Sequence, residues 1–319
     1  MRKAILLLLK LAVSGLLLYF ALNLVNLGTV AGRLSRIDPA WCALGVLVLL
    51  AQTFLVGLRW RRILNRCGAD LPASRMIRFA MIANFFNQTL PSSVGGDAMR
   101  IWLVGKDTNW RVATYSVFLD RLAGLVMLAA LVVVCLPWSL QLVTDPVGRS
   151  ALLVLGLGSL GAAAVFVGLA WEGFGILQRW SPTRHLAATA TVAWQILRSP
   201  DALLPIGMQS LVVHLMTVVA AWCAARAAGA NLTLLDVLLL VLPVMLILVV
   251  PISIAGWGVR ESAMVAAFTY AGLSQSDGLI ISLLFGAGAL LLGIVGGGVW
   301  IVTGKRGEPR IVPAAVENE

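Results

Sequence analysis

The sequence predicts an all-α, polytopic membrane protein with about six full spans and two broken, re-entrant helical hairpins in an inverted repeat. Three observations support this prediction: the composition, the length of the apolar runs, and a duplicated Pro/Ser/Gly motif. Of the 319 residues, 60% are hydrophobic and only 12% are charged, whereas a soluble domain carries about a quarter charged residues. Several apolar runs also reach the roughly 20 residues that a helix needs to cross a bilayer.

The apolar segments of spanning length follow one another along most of the chain. They cover about 4–27, 39–57, 113–137, 150–171, 203–225 and 279–302. The first segment is too long for a signal peptide and no clean cleavage site follows it, so we expect a retained span. Tryptophans and basic residues alternate over 171–200, which is typical of interfacial helices.

These segments predict one membrane domain over residues 1–303. A polar tail, 304–319, follows it and is expected on the cytoplasmic side. The domain divides into two halves at about 1–150 and 151–303, because a motif in the first half recurs in the second.

The recurring motif interrupts the apolar pattern twice. "PSSVGGDAMR" begins at Pro91 and "PISIAGWGVR" begins at Pro251, an offset of 160 residues. Aligned without a gap, the copies share a proline, a serine, a glycine and an arginine at the pairs Pro91/Pro251, Ser93/Ser253, Gly96/Gly256 and Arg100/Arg260. One alternative is chance, since any interrupted helix collects Pro, Ser and Gly. An internal duplication accounts better for the matched spacing.

Two broken helices in corresponding positions carry a functional implication. Irregular backbone at membrane depth must be buried in protein or line a wet cavity, because lipid cannot satisfy its N–H and C=O groups. Paired interruptions in two halves are therefore a sequence pointer to the substrate site of a transporter.

The basic residues predict an orientation. With both termini cytoplasmic and the hairpins entering from opposite faces, four basic residues lie on the outer side: Arg33, Arg36, Arg149 and Arg226. Sixteen of the 24, Arg59, Arg61 and Lys305 among them, lie on the cytoplasmic side. This bias follows the positive-inside rule.

Acidic and basic residues lie next to one another within the apolar segments. Asp97 precedes Arg100 by one helical turn, Asp120 adjoins Arg121, and "VRES" joins an arginine to Glu261. Adjacent residues of a helix do not face each other, so Asp120 and Arg121 should have partners on different elements. Such pairs could simply pin helices together.

The alternative is that the arginines bind an anionic headgroup while the acids hold them in place. Arg100, Arg121 and Arg260 suit a phosphate because a guanidinium presents forked donors. Exposed N–H groups where each broken helix restarts, near Gly95–Gly96 and Gly256–Gly258, would add to this attraction. Asn84 and Asn87 precede the first break as polar residues in an apolar pattern, and are candidate cavity-lining residues together with Ser93 and Ser253.

Other kinds of site are absent from the sequence. Four scattered cysteines and two distant histidines form no metal-ligand or disulfide pattern, so we expect neither a metal nor a cofactor. No phosphate-binding loop for ATP is present. His214 is predicted to be a helix–helix hydrogen bonder. The charge of +10 is read as cytoplasmic-side lysine and arginine, with no nucleic-acid partner.

The segments "NFFNQTLPSSVGGDAMRIWLV", "SVFLDRLAGL" and "VVPISIAGWGVRESAMVAAF" resemble the signatures of the flippase-like lysylphosphatidylglycerol synthase transmembrane family. The resemblance extends over about 5–303. It implies a bacterial inner-membrane protein that binds and translocates a phospholipid, anionic or aminoacylated. The soluble synthase domain of two-part members has no counterpart before Glu319, so lysyltransferase activity is not expected.

Three functions remain open at this point. The first is a lipid translocase, and the second is a membrane enzyme that modifies a lipid headgroup with Asp97, Asp120 or Glu261 as general base. The third is an accessory subunit. The expected partners are a membrane phospholipid and, as further candidates, a second copy of the chain or a separate lipid-modifying enzyme.

Overall fold

A computed structural model describes residues 2–25, 27–90, 94–168, 181–250 and 253–304. These residues form helices and no strand, which confirms the all-α prediction. The first half contains α1 (Arg2–Asn23), α2 (Leu27–Leu34), α3 (Pro39–Arg66), α4 (Ala73–Thr89), α5 (Gly95–Gly105) and α6 (Trp110–Leu142). The second half contains α7 (Pro146–Gly168), α8 (Ser181–Arg198), α9 (Pro200–Ala227), α10 (Leu234–Ile247), α11 (Val259–Tyr270) and α12 (Gln275–Gly304).

Five of the described helices are long and apolar enough to cross a membrane, namely α3, α6, α7, α9 and α12. A sixth span exists if Leu11–Asn23 and Leu27–Leu34, which meet at 93°, are counted together. Large apolar side chains on these helices face outward, and Val154, Leu204 and Ile294 are each more than 60% exposed. An outward-facing apolar surface of this kind suits lipid as solvent. The chain is a polytopic helical membrane protein.

The order of helices in α3–α6 recurs in α9–α12. Each series has a helix of 28 residues, two short helices, and a long helix of at least 30 residues. The short helices have 17 and 11 residues in the first series and 14 and 12 in the second. At 1.5 Å per residue none of them covers the roughly 30 Å of a bilayer core.

The first helices of the two series pack against each other and run antiparallel. Gln52 of α3 donates to Thr217 of α9 (Nε2–Oγ1, 2.6 Å), and Arg59, two turns later on α3, reaches back to Ser210 (3.1 Å). The remaining contacts also follow the repeat. The second helix of each series contacts the fourth helix of the other, since α4 contacts α12 and α10 contacts α6. Antiparallel packing of equivalent helices is the geometry that an inverted repeat produces.

The two short-helix hairpins enter the bundle from opposite ends. Asp38, at the start of α3, donates its N–H to Ala227 at the end of α9 (3.0 Å). The loop after α6 meets the end of α11 at this same end, where Thr144 donates to Tyr270 (3.1 Å). The opposite end carries the ion pair of Arg66, the last residue of α3, with Asp201. The α4–α5 hairpin opens there, while the α10–α11 hairpin opens at the first end.

Glycine allows α5 to fold back on α4. A Cβ atom on Gly96 would lie 2.5 Å from the carbonyl oxygen of Ala83 and 2.5 Å from Asn87 Oδ1. One on Gly95 would lie 2.6 Å from Leu90 Cβ. Any side chain at these positions would push the two helices apart.

The second break has a different backbone. Gly256 and Gly258 have φ of 80° and 84°, and Ala255, which precedes them, has φ of 51°. Gly258 also contacts α1, where an added Cβ would lie 2.4 Å from Ser14 O. The prolines that begin the two motifs, Pro91 and Pro251, lie outside the described residues, as does Ser93.

Candidate functional site

A cavity of about 610 Å³ lies beside the first hairpin. Its walls come from α3, α4, α6, α9 and α10, and the beginning of α5 closes one side. Its charged lining residues are Arg59, Asp97, Arg100, Asp120 and Arg121. They form a continuous network of ion pairs.

Asp120 is the centre of this network and is only 1% exposed. Arg59 Nε donates to Asp120 Oδ1 (2.8 Å), and Arg100 Nη2 donates to Asp120 Oδ2 (2.7 Å). Arg59 also donates to the Asp120 carbonyl oxygen (3.3 Å) and to Ser210 Oγ (3.1 Å). Both oxygens of this carboxylate are therefore bound by guanidinium groups from two different helices.

Asp97 has the second carboxylate of the network. Arg121 Nε donates to Asp97 Oδ2 across 2.7 Å, while Arg100 Nη1 lies 3.5 Å from Asp97 Oδ1. Arg100 also stacks on Trp60, whose ring centroid is 4.0 Å from the guanidinium carbon. Asp120 and its neighbour Arg121 bind different residues, but both contact α5, so the predicted difference in elements holds only for the contact of Asp120 with Arg59 on α3.

The network contains three guanidinium groups and two carboxylates, which leaves a net charge of +1 in their ionised forms. A buried cation without a counter-ion is unfavourable unless water or a ligand solvates it. The side chain of Arg121 is 54% exposed, whereas Arg59 and Arg100 are nearly inaccessible. The excess positive charge thus has access to the cavity through Arg121.

Uncharged polar groups and a larger number of apolar side chains line the remainder of the cavity. Asn84 donates to Thr53 Oγ1 (3.0 Å), and Asn87 Oδ1 accepts from Gly96 N (3.0 Å). His214 Nε2 lies 2.8 Å from Gly124 O, and this ring nitrogen must donate because a carbonyl oxygen can only accept. That contact joins α9 to α6, which confirms the predicted helix–helix role of His214.

The second hairpin forms a separate cluster. Arg260 Nη2 donates to Glu261 Oε1 (2.8 Å), and Ser282 Oγ donates to the same oxygen (2.9 Å). Glu261 is fully buried. Neither residue, nor Ser253, is among the residues that line the cavity described above. In this structure Arg260 therefore does not converge with Arg100 on one cavity, contrary to the sequence-based expectation.

The N–H groups predicted to attract an anion at the two helix restarts are also engaged within the protein. Gly96 N–H donates to Asn87, and Gly258 N–H donates to Glu261 Oε2 (2.7 Å). Each interaction caps the first turn of the helix that follows. Any anion must accordingly be bound by side chains rather than by these two amides.

Arg59 is the site residue that the sequence analysis missed, since it was assigned to the cytoplasmic basic cluster. The structure places it inside α3 and 5% exposed. A signal was present in the helical spacing. Arg59 lies at i+7 from Gln52, on the same helical face as Val56 at i+4 and Ile63 at i+11. The neighbouring Arg61 and Arg62 obscured this spacing.

Comparison with known proteins identifies one family. The family described as "Lysylphosphatidylglycerol synthase TM region" matches residues 7–297, which includes all of the cavity residues above. No curated protein matches the chain.

Proposed function

Because the chain belongs to the lysylphosphatidylglycerol synthase TM region family, we propose that it translocates a phospholipid between the leaflets of the bacterial inner membrane. The headgroup, anionic or aminoacylated, enters the cavity beside the α4–α5 hairpin. The acyl chains stay in the surrounding lipid.

The observation that carries this proposal is the arginine–aspartate network in the cavity wall. Charged groups inside a membrane protein are costly unless they are paired or hydrated, and they mark substrate pathways more often than ordinary packing sites. A guanidinium group binds two phosphate oxygens at once, and Arg100 and Arg121 both line the cavity. The network therefore offers the chemistry that a phosphate headgroup requires.

The inverted arrangement supports translocation rather than simple binding. The two hairpins open toward opposite ends of the bundle, so movement of one hairpin would expose the site to one side only. Alternating access of this kind is typical of transporters built from inverted repeats. Asp97 and Arg100 on α5 would move relative to Asp120 and Arg121 on α6.

The orientation follows from the basic residues at the end where the first hairpin opens. Arg62, Arg66, Arg78, Lys106 and Arg111 belong to that end. The positive-inside rule assigns it to the cytoplasm, together with both termini. A separate lipid-modifying enzyme or a second copy of the chain is a candidate partner on that side.

Purified protein in vesicles tests the proposal. We expect a fluorescent phosphatidylglycerol in the inner leaflet to become accessible to a membrane-impermeant quencher faster than in protein-free vesicles. Extraction of the lipid afterwards should return it chemically unchanged. Covalently altered headgroup with no change of leaflet would favour the alternative of a headgroup-modifying enzyme, with Asp97 or Asp120 as general base.

A further inference from the structure

The carboxylates of the cavity already have cationic partners within the protein. Asp120 accepts from Arg59 at one oxygen and from Arg100 at the other, at 2.8 and 2.7 Å. Asp97 accepts from Arg121 at 2.7 Å and faces Arg100 at 3.5 Å. An ammonium group in the cavity would have to share these acids with guanidinium groups that already neutralise them.

Donors, in contrast, remain unused. Arg100 Nε is buried and has no hydrogen-bond partner among the described residues. Arg121 uses only Nε, so neither of its terminal nitrogens has a partner in the described part of the chain. A buried N–H without an acceptor destabilises a protein. The buried Nε of Arg100 is in this state, and the terminal nitrogens of Arg121, whose side chain is 54% exposed, are free to bind a ligand in the cavity. Together these donors point to a missing acceptor.

We propose that the lipid of this protein has a net-anionic headgroup bearing a phosphate, and that aminoacylated lipids are disfavoured. The inference rests on the proposed function and specifies its substrate class. The phosphate accepts from Arg121 and from Arg100 Nε, in front of the Asp97 carboxylate.

Charge balance separates the two lipid classes. A phosphodiester with one negative charge neutralises the cavity's net charge of +1. Esterification with lysine adds two ammonium groups, so the headgroup becomes net positive and meets a cavity of the same sign. Like charges in a low-dielectric site repel far more strongly than they do in water.

Binding to the full-length protein in neutral detergent tests this preference. Phosphatidylglycerol, lysyl-phosphatidylglycerol and phosphatidylcholine are titrated separately, and the midpoint of thermal unfolding is followed. We expect phosphatidylglycerol to bind at least tenfold more tightly than the lysylated lipid. Equal affinity, tighter binding of the lysylated lipid, or no stabilisation by any of the three lipids would overturn the inference.

A soluble phosphate is the other source of the same chemistry. Glycerol 1-phosphate and inorganic phosphate are therefore titrated in parallel. We expect at least tenfold weaker stabilisation by both, because neither has acyl chains to place beside the helices. Stabilisation equal to that by phosphatidylglycerol would show that the ligand is not a lipid.

Two variants connect the preference to the cavity. Arg121→Gln removes the partly exposed charge and should reduce the preference for phosphatidylglycerol at least fivefold. Asp97→Asn removes the competing carboxylate and should strengthen phosphatidylglycerol binding. Arg111→Gln is the matched control, since it removes one exposed positive charge from the same helix outside the cavity. An identical effect of Arg111→Gln and Arg121→Gln would assign the preference to general surface charge and contradict the proposed site.

The vesicle assay separates failure of this inference from failure of the proposed function. Tight, selective binding without movement of any lipid would remove translocation and leave the headgroup preference intact. Movement of lysyl-phosphatidylglycerol at the rate of phosphatidylglycerol or faster would support translocation and overturn the preference.

Discussion

Arg59 of α3 and Asp120 of α6 form a buried ion pair, with Arg59 Nε 2.8 Å from Asp120 Oδ1. Both side chains are at least 94% inaccessible to solvent. Asp120 also accepts from Arg100, so this carboxylate connects a spanning helix of the bundle to the first hairpin. The pair anchors the network from which Arg121 extends into the cavity.

Breaking this pair should destabilise the protein. Arg59→Ala leaves Asp120 with Arg100 as its remaining cationic partner, so the cost should lie below the about 3–5 kcal/mol of a buried charge that has lost every partner. Thermal unfolding in detergent should show a clearly lowered midpoint. Arg61→Ala is the matched control, because its ion pair with Asp70 is exposed and such pairs contribute about 0–1 kcal/mol. Equal midpoints for the two variants would show that the buried pair is not structural.

The first hairpin should tolerate no side chain at Gly96. Gly96→Ala places a Cβ 2.5 Å from the Ala83 carbonyl oxygen, and overpacking of this kind costs about 1–3 kcal/mol. The same change at Gly158, where no atom lies within 4 Å, is the control and should cause no loss of stability. If the Gly96→Ala variant is as stable to unfolding as the wild-type protein, α5 does not pack on α4 as closely as described.

The cluster of the second hairpin should be structural only. Arg260→Met leaves Glu261 buried with Ser282 and the Gly258 N–H as its remaining partners. We therefore expect a lowered unfolding midpoint together with unchanged selectivity between phosphatidylglycerol and its lysylated form. A stable Arg260→Met variant that loses selectivity would instead place Arg260 in the binding site, as the sequence alone suggested.

The orientation can be tested by cysteine labelling in intact cells. In a cysteine-free background, Arg149→Cys should react with an impermeant maleimide added outside, and Arg61→Cys should not. The native Cys67 should contribute little labelling of its own. Burial raises the pKa of its thiol to about 11, and the thiolate is the form that reacts with a maleimide. Labelling at 61 and not at 149 would invert the topology.

The sequence predicted the helical bundle and the repeat because both depend on local properties, namely apolar run length and motif spacing. The network was only partly predictable. The spacing of Asp97 and Arg100 indicated a contact within one turn, yet that contact is the longest in the network at 3.5 Å. The closest acid to Arg100 is Asp120, on the next helix. Long-range partners of this kind depend on how helices pack, which local spacing does not encode.

The repeat also led the sequence analysis too far in one respect. Arg100 and Arg260 occupy equivalent motif positions, but their surroundings differ. On the long helix that follows its hairpin, Arg100 pairs with Asp120, whereas Arg260 meets only the hydroxyl group of Ser282 and pairs with its own neighbour, Glu261. The second half therefore lacks the partners that make the first half a cavity network, and motif symmetry alone could not reveal this.

The most direct test of the central claim is lipid movement by Arg100→Lys in vesicles, measured beside the wild-type protein. Lysine keeps the positive charge but lacks the forked guanidinium group. Its single ammonium group cannot bind Asp120, Asp97 and a phosphate at the same time. We predict normal folding, judged by unfolding in detergent, and a rate of phosphatidylglycerol redistribution reduced at least tenfold. A well-folded Arg100→Lys protein that redistributes phosphatidylglycerol at the wild-type rate would contradict the account.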